Sequence, residues 1–283
     1  MTRPCSNKRC GTSQQLTLCV AIRRVKKVTA PTAPRPALDS STAPASRPTA
    51  DVPHEATILL GDCPLTLLSA RAAVLRPSHT LVLSDLHWGR DHTLRATGSA
   101  VPAGPLTAQL ERLARLIALI RPNRVVVVGD LIHTAVGLTS DLHEQVRQFR
   151  AASPVPMTLV RGNHDRVLRK SPVGWDLDVR SEALTIDGVM LVHEPPDATD
   201  TPFICGHLHP TVAIGRGSER MRLPCFHLRQ TALTLPAFCL HTGGPAIHSL
   251  AGDRIWAIAD GLVEVPAGPM PRSTRASRRR QTR

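Results

Sequence analysis

Five short segments of this sequence carry the residue types that bind divalent metal ions in proteins. Carboxylate, imidazole and neutral amide side chains recur in these segments. Seven of them are candidate ligands: Asp85, His87, Asp130, Asn163, His193, His207 and His209. These groups suit borderline to hard divalent ions, and we expect manganese, with iron, zinc, cobalt or magnesium as alternatives. The residue types therefore point to metal-assisted chemistry that needs no cysteine thiolate.

Taken one at a time, these segments are weak signals, because an Asp-x-His triplet is more often a turn or a surface pair. The ordered set is stronger, since each segment follows an apolar run and strand ends converge on one crevice in open α/β sheets. In extended backbone, residues i and i+2 point to the same side. Asp85 with His87, and His207 with His209, could then each present two ligands to one cavity. Asp130 follows the most apolar run and is the candidate to bridge two ions roughly 3.5 to 4 Å apart.

Hydrophobic periodicity predicts the elements that must position these residues. Apolar runs at 80–84, 124–128 and 157–160 predict buried strands, and apolar residues at helical spacing predict helices at 106–120 and 141–151. Thr139, Ser140 and Asp141 are candidate caps for the second helix. A strand-helix-strand-helix-strand order implies parallel pairing with right-handed crossovers.

The second half of the sequence predicts mostly sheet. After Val173, short apolar runs are separated by turn residues, and Asp187 with Gly188 is typical of a hairpin turn. The predicted strands lie at 183–186, 189–192, 202–205, 211–214, 221–227, 232–235 and 255–259. We therefore predict the α/β class, with a double β-sheet sandwich flanked by helices in α-β-β-α layers over residues 54–266.

The positive charge of the chain is concentrated in its two ends. The net charge of the 283 residues is +13, yet residues 54–271 carry 20 basic and 20 acidic residues. Residues 1–53 carry 9 basic and 2 acidic residues, and residues 272–283 carry 6 arginines and no acid. The Pro/Ala/Ser/Thr-rich segment 1–53 and the Arg-rich segment 267–283 are predicted to be disordered tails. Loose attraction to DNA or RNA and simple solvation of the tails are both open.

Cysteine usage and hydropathy bear on the compartment. The 7 cysteines are an odd number with no paired spacing, which favours a reducing compartment. The apolar run at 16–22 is too short to cross a membrane, and basic residues follow it where a cleavage site would be needed. The sequence therefore predicts a cytoplasmic protein with no membrane attachment.

The five motifs resemble those of the calcineurin-like metallophosphoesterase superfamily over about residues 80–210, with every core ligand position filled. The resemblance implies the metallophosphoesterase double-sheet fold and phosphoester hydrolysis by a metal-activated water. It also implies two ion sites that share Asp130. One would be held by Asp85, His87, Asp130 and His209, and the other by Asp130, Asn163, His193 and His207.

The same resemblance implies a catalytic role outside the ligand set. In that family, the histidine of the Gly-Asn-His-Asp segment faces the substrate, so His164 is the candidate to stabilise the transition state or protonate the leaving oxygen. Asp165 would orient the His164 ring, and a capping role is the alternative for Asp165.

A narrower resemblance concerns the substrate. The run Asp-Leu-His-Trp-Gly-Arg at 85–90, with Arg95, Gly98, Pro102 and Gly104, is similar to the bacterial DNA ligase-associated metallophosphoesterases, as are the runs at 223–226, 235–238 and 242–244. It implies a DNA phosphodiesterase or endonuclease of DNA repair. An ATP-dependent DNA ligase, a helicase and a nuclease-like protein would be its partners.

The long N-terminal extension departs from that group, so residues 1–53 are either a lineage-specific tail or a mis-called start. Arg90, Arg95 and His133 are candidate contacts of the substrate, although solvated arginines and polar filler are the plainer interpretation. The leading hypothesis is a DNA-directed phosphodiesterase. A phosphatase or phosphodiesterase of nucleotides or other small phosphoesters is the second. A catalytically silent interaction module is the third, and the presence of His164 with all seven ligands disfavours it.

Overall fold

The computed structural model describes residues 54–102, 104–215 and 220–266. Both predicted tails lie outside the described residues. Within the described part of the chain, no helix combines the length and the hydropathy needed to cross a lipid bilayer.

Seven strands form the first sheet, and their spatial order equals their order in the chain. The first four pair antiparallel as a meander, whereas the fourth to the seventh pair parallel. The strands are β1 Glu55–Leu60, β2 Cys63–Leu68, β3 Ala72–Leu75, β4 Thr80–Leu83, β5 Arg124–Val128, β6 Met157–Val160 and β7 Leu177–Arg180. The parallel half confirms the predicted crossover connections.

The second sheet contains the remaining strands of the described residues. They are β8 Leu184–Ile186, β9 Val189–Leu191, β10 Phe203–Cys205, β11 Thr211–Ile214, β12 Met221–Arg229, β13 Ala232–Thr234, β14 Arg254–Ile258 and β15 Leu262–Val265. Their order is β15-β14-β12-β13-β10-β9-β8, and β11 pairs with β12. The predicted hairpin joins β8 to β9, where Asp187 and Gly188 both have positive φ, as a type I′ turn requires.

Three α-helices lie in the described residues: α1 Arg90–Ala96, α2 Pro105–Ile120 and α3 Ser140–Ala152. Pro105 fits the first position of α2, because a backbone N–H at that position would have no partner in the helix and proline has none to lose. At the other end, Arg121 adopts left-handed backbone and ends the helix. The hydroxyl of Thr139 caps α3 by accepting the N–H of Leu142 at 3.2 Å. Two 3-10 turns span Ala135–Gly137 and His164–Val167.

The central strand β5 divides the core between its two faces. Val125 and Val127 pack against helices α2 and α3, whereas Val126 and Val128 pack against the second sheet. All four side chains are fully buried, which is worth about 1.5 to 3 kcal/mol for each valine. The predicted strand with two buried faces is confirmed, and it fixes the edge at which Asp130 emerges.

The double-sheet sandwich is confirmed, with its helical layer on one side. Helices α2 and α3 cover one face of the first sheet. The apolar core on the other face, which contains Val126 and Val128, lies between the two sheets. A third, smaller apolar cluster of Val212, Cys225, Ile255 and Ala257 lies in the second sheet. Among the described residues, no helix packs against this cluster. The nearby segment 236–250 contains Pro236, Pro245 and paired glycines, which oppose a helix.

Candidate metal centre

All five predicted segments lie where strands end. Asp85, Asp130 and Asn163 follow the parallel strands β4, β5 and β6, and the histidine segments follow β9 and β10 of the second sheet. Carboxyl ends of parallel strands meet at one edge of a sheet, so this arrangement is expected to gather polar side chains. The structure brings the seven candidate ligands into two adjacent groups.

The first group contains Asp85, His87 and His209, whose ligand atoms lie within 4.8 Å of one another. His209 Nε2 is 3.1 Å from Asp85 Oδ1 and 3.3 Å from His87 Nε2. The side chains of Asp85 and His87 are buried. Three groups that can bind one cation therefore face a common point.

The second group contains Asp130, His193 and His207, again within 4.8 Å of one another. Asn163 Oδ1 adds a fourth acceptor, 3.0 Å from His193 Nε2 and 3.2 Å from His207 Nδ1. His193 Nε2 is 3.2 Å from His207 Nδ1 and 3.4 Å from Asp130 Oδ1.

Backbone hydrogen bonds connect the two groups. The N–H of His207 donates to both oxygens of Asp85 at 3.2 and 3.1 Å. The loop after β4 is joined to the loop after β5, since the N–H of Asp85 donates to the carbonyl of Gly129 and that of His87 to the carbonyl of Asp130. The two groups therefore form one centre.

The chemistry of the second group fits a cation. The carbonyl of Val128 lies 3.1 Å from His193 Nδ1 and requires a proton there, so Nε2 of the neutral ring presents a lone pair. That lone pair faces the amide oxygen of Asn163 and the carboxylate of Asp130, which are acceptors as well. Acceptors this close repel one another unless positive charge lies among them. A divalent ion supplies that charge, and the carbonyl of Val128 is the outer partner that metal-binding histidines commonly use.

Burial sets the protonation of the first group. Burial is the main cause that lowers the pKa of His87 to about 3, and the Asp85 carboxylate only partly opposes it. Burial pushes the pKa of Asp85 upward, but the hydrogen bond and charge of His209 outweigh burial and leave the pKa below its ordinary value. A neutral imidazole beside an ionised carboxylate is the state that binds metal.

Left-handed backbone, and not strand alternation, aims the ligands. Strand β4 ends at Leu83, and both Asp85 and His87 have positive φ, 54° and 50°. Asp130, His207 and His209 also have positive φ, from 44° to 66°. The prediction that extended backbone would point residues i and i+2 to one side is therefore wrong, although its pairs do meet. Such backbone is costly for residues other than glycine, and it concentrates at functional sites.

Glycines in the motifs allow the ligand loops to approach one another. A Cβ on Gly129 would overlap the His193 ring. A Cβ on Gly162 would lie 2.6 Å from the backbone nitrogen of Asp130, and one on Gly206 would lie 2.6 Å from Asp85 Oδ2. These contacts are too short for a real side chain, so each glycine is required by the centre that it borders.

His164 lies at the rim of the centre, with its side chain 33% exposed. Its Nδ1 is 2.5 Å from the carbonyl of His133, and its ring stacks on the His133 ring with centroids 5.3 Å apart. Its Nε2 is 3.8 Å from Asp130 Oδ2. His133 is thus beside the centre, and burial is the main cause that lowers the pKa of its ring to about 4.

Asp165 binds backbone N–H groups and does not hydrogen-bond the His164 ring, which it was predicted to orient. Its fully buried carboxylate accepts the backbone N–H groups of Gly162 at 2.9 Å, Ile132 at 3.1 Å and Leu131 at 3.3 Å. The His133 carbonyl, and not Asp165, holds the His164 ring. Asp165 ties the loop after β6 to the loop after β5, which is closer to the capping alternative.

Of the predicted arginine contacts, the structure separates Arg90 from Arg95. The guanidinium of Arg95 bonds Asp91 at 3.0 Å and the carbonyl of Pro102 at 3.0 Å, so it holds its own loop instead of facing the centre. Arg90 lines a cavity of about 80 Å³ together with the ligand His87, and its buried Nε has no hydrogen-bond partner among the described residues.

Sequence reasoning missed the groups that support the ligands. The carbonyls of Val128 and His133 carry no sequence signal. Phe238 and Gly244 do carry one, since they belong to the runs at 235–238 and 242–244 that resemble the ligase-associated group. The N–H groups of Phe238 and Cys239 bond the carbonyls of Ser84 and Asp85, and Gly244 approaches the His209 carbonyl so closely that a Cβ would overlap it.

Comparison with known proteins gives a family and a fold. The model of the calcineurin-like phosphoesterase family matches residues 78–230. Among solved structures, nuclease MPE from Pseudomonas putida is 28% identical with a TM-score of 0.65, over 75% of this chain and 100% of that chain. Yfce, a phosphoesterase from E. coli, is 18% identical with a TM-score of 0.35, over 67% of this chain and 99% of that chain. A search of curated proteins finds no match.

Proposed function

The chain belongs to the calcineurin-like phosphoesterase family and is a hydrolase acting on phosphoester bonds, and from that premise we propose that it cleaves phosphodiesters of DNA with two divalent metal ions. Asp85, His87, Asp130 and His209 would hold one ion, and Asp130, Asn163, His193 and His207 the other. We favour manganese for both sites, with iron, zinc, cobalt or magnesium as alternatives.

The observation that carries the proposal is the set of potential ligand atoms that converge on one point at the strand ends. Asn163 Oδ1, His193 Nε2 and His207 Nδ1 form a triangle with sides of 3.0 to 3.2 Å, next to the carboxylate of Asp130. When bound, two divalent ions would clamp a phosphate and lower the pKa of a water molecule.

His164 is the proposed catalytic residue of this chain. Its exposed ring projects at the rim, and the His133 carbonyl accepts the proton on Nδ1, which leaves Nε2 free to meet the leaving oxygen. In the imidazolium form, in which both ring nitrogens carry a proton, Nε2 can donate its proton to the leaving oxygen or a hydrogen bond to the transition state, while Nδ1–H stays bonded to the His133 carbonyl. Asp165 positions His164 indirectly, because it fixes the backbone of the loop that carries both residues.

DNA as the substrate is supported by the neighbour from Pseudomonas putida, which is a nuclease. The whole of that protein matches 75% of this chain. A role in DNA repair beside an ATP-dependent ligase, a helicase and a nuclease-like protein remains part of the proposal, as does the cytoplasmic location.

Hydrolysis of an activated phosphodiester, bis(p-nitrophenyl) phosphate, with added manganese tests the reaction. We expect turnover by the wild-type chain and a loss of at least about 10³-fold in Asp130→Ala, since a ligand of both ions is removed. Asp62→Ala, at an exposed turn between β1 and β2, is the matched control and should keep full activity. Equal activity in the wild type and Asp130→Ala would overturn the proposal.

A second function is favoured by the cavity beside His87. This small cavity is lined mainly by apolar side chains, including Leu94 and Leu106, with Arg90 and Arg112 at its polar part. At about 80 Å³ it would take a small apolar group of a phosphoester and not a whole nucleoside, since ligand pockets usually measure about 300 to 1,000 Å³. A panel of nucleotides beside single-stranded, nicked and flapped DNA decides between the two, because a small-phosphoester enzyme would show the higher kcat/KM on the nucleotides.

A further inference from the structure

Three arginines line one cavity beside the metal centre, and this cavity is separate from the one that His87 lines. Arg161, Arg166 and Arg169, together with Gly162, Val179 and Ser181, surround an open cavity of about 570 Å³. We call this cavity and its arginines the basic pocket. Arg166 and Arg169 are exposed, and Arg161 is half-buried.

The three arginines of the basic pocket line one cavity and have no carboxylate partner among the described residues. Six arginines elsewhere each lie within 4.0 Å of an Asp or Glu oxygen: Arg95, Arg115, Arg147, Arg180, Arg229 and Arg254. Half-buried Arg71 and buried Arg150 donate to backbone carbonyls. Exposed Arg76, Arg121 and Arg124 also lack a carboxylate partner in the described residues, but these three do not line one cavity. Across the part of the chain that the structure describes, no ion pair or side-chain hydrogen bond engages the guanidinium of Arg161, Arg166 or Arg169.

The basic pocket adjoins the proposed catalytic residues. Gly162 belongs to its wall and also lies against Asp130, since a Cβ there would touch the Asp130 backbone. Asn163 and His164 follow directly in the chain. Strands lie about 4.8 Å apart. The pocket lies over the ends of β6 and β7, so its centre is one to two strand spacings from the end of β5, where Asp130 emerges.

This local charge stands out because the body of the chain is neutral overall, with 20 basic and 20 acidic residues between 54 and 271. Three guanidinium groups within one cavity therefore form a concentrated positive patch instead of part of a general excess. At physiological ionic strength the Debye length is about 8 Å, so the patch acts mainly on an anion that touches this edge of the molecule.

We propose that the basic pocket binds backbone phosphates of a polynucleotide on one side of the bond that is cleaved. This inference rests on the proposed function, and it adds a second contact region that a small phosphoester would not reach. Guanidinium groups bond phosphate oxygens in bidentate geometry, which matches the residue type.

The residues of the pocket also favour contact with the backbone over contact with the bases. No aromatic side chain is among its lining residues, so it offers no platform on which bases could stack. Phosphate contacts position a strand without reading its sequence. The pocket should therefore strengthen binding of DNA of any sequence and hold the strand in register with His164.

The test compares the full-length wild type with two full-length variants. In the first variant, Arg161→Gln, Arg166→Gln and Arg169→Gln are combined. In the matched control, Arg76→Gln, Arg121→Gln and Arg124→Gln remove the same charge from exposed arginines at the opposite edge of the first sheet. The tails are common to all three proteins, so differences report the substituted residues.

Affinity for a fluorescent single-stranded oligonucleotide is measured by anisotropy at several salt concentrations without added metal, and kcat/KM is measured on the same oligonucleotide and on bis(p-nitrophenyl) phosphate. For the pocket variant we expect affinity to fall about tenfold or more, and the slope of log affinity against log salt to decrease by about 2, because each single-strand phosphate contact contributes about 0.7. The ratio of kcat/KM on DNA to kcat/KM on the small substrate should fall with it. The control should match the wild type.

Unchanged affinity and salt slope in the pocket variant would overturn the inference, and so would an equal loss in the control variant. An equal fall in activity on both substrates with unchanged binding would show a merely structural role and would also overturn it. If the wild type hydrolyses neither substrate, the proposed function fails, whereas the binding measurement still decides the inference about the pocket. A triple Arg→Lys variant, which keeps the charge, should retain most of the salt slope.

Discussion

Two regions of this molecule bring histidines against aspartates, and they do so in opposite ways. On the second sheet, Asp253 accepts from His227 at 2.9 Å, from Arg229 at 3.1 and 3.0 Å, and from the N–H of Leu250 at 2.9 Å. Every contact there joins an acceptor to a donor. In the metal centre, the amide oxygen of Asn163 and the ring nitrogens of His193 and His207, all potential metal ligands, face one another at 3.0 to 3.2 Å.

The pKa values reflect the same contrast. Burial pushes the pKa of Asp253 upward, but Arg229, the N–H of Leu250 and His227 outweigh burial and hold the pKa well below its ordinary value. For Asp130, burial is the dominant cause and the pKa is raised, despite His193 and the N–H of His164. The Asp253 cluster supplies its own positive charge, whereas the group around Asp130 is short of it. That shortage distinguishes a ligand site from a structural ion pair.

The largest expected difference comes from the same substitution in each cluster. His164→Gln should lower kcat by about 10² to 10⁴-fold, the usual contribution of a general acid or base, and should retain bound metal because His164 is not one of the seven proposed ligands. His227→Gln should keep kcat and lower the free energy of unfolding by about 1 kcal/mol, because it weakens one hydrogen bond to Asp253. Steady-state kinetics, metal analysis and urea unfolding measure these effects. Loss of activity in His227→Gln would break the contrast.

A second pair of variants separates overlap with a ligand from backbone strain. Gly129 and Gly188 have nearly equal φ, 78° and 77°, but a Cβ would overlap His193 at Gly129 and would meet nothing within 4 Å at Gly188. Both Ala variants should lose about 1 kcal/mol of stability from left-handed backbone. Gly129→Ala should in addition lose more than about tenfold in kcat/KM, because His193 must move. Equal activities, measured at a temperature where both variants are folded, would argue against a requirement for glycine at 129 to let the His193 ring approach the backbone.

Asp253→Asn should lower the free energy of unfolding at pH 7 by about 1.5 to 3 kcal/mol, since several hydrogen bonds lose their ionised acceptor. The pH dependence has a definite sign. A carboxyl whose folded-state pKa is depressed contributes stability above its unfolded pKa, near 3.8, and loses it as pH falls below that value. Urea unfolding of the metal-free proteins from pH 7 to pH 2 should therefore show a steeper loss below about pH 4 in the wild type than in the variant. Parallel curves would show that Asp253 is not the group that titrates.

The smallest expected effect is a gain in the free energy of unfolding, opposite to the loss expected for Asp253→Asn. Asp130→Asn should raise the stability of the metal-free protein at pH 7, because it removes a buried charge whose pKa burial raises, while the amide oxygen can still accept the N–H of His164. By the same reasoning, the metal-free wild type should gain stability from Asp130 as pH falls through its raised pKa. A clear loss of stability in Asp130→Asn would mean that the centre is already balanced without a metal ion.

The sequence alone predicted the elements that carry strong periodicity. Strands β5 and β6 have the predicted bounds, because runs of buried apolar residues have no helical alternative of that length. Helix α1 escaped prediction since its one buried residue is Asp91, which leaves no apolar stripe.

The candidate site was predicted by residue type but not by geometry. The seven candidate ligands were predicted because strand ends gather polar residues. The left-handed backbone of five of them falls on Asp and His, residue types that do not indicate such backbone as glycine does. The partners of His164 and His193 are backbone carbonyls, which every residue has. The basic pocket was missed because counting charge over 54–271 averages a local cluster with distant acids.

Metal binding tests the central claim most directly. Equilibrium dialysis of the metal-stripped full-length chain against manganese should give about two bound ions per chain, as a bridged pair requires. His193→Ala, which removes an acceptor from one group only, should give about one fewer, and Asp253→Asn should bind as the wild type does. No specific manganese binding by the wild type, or the same stoichiometry and affinity in His193→Ala, would contradict a centre built around missing positive charge.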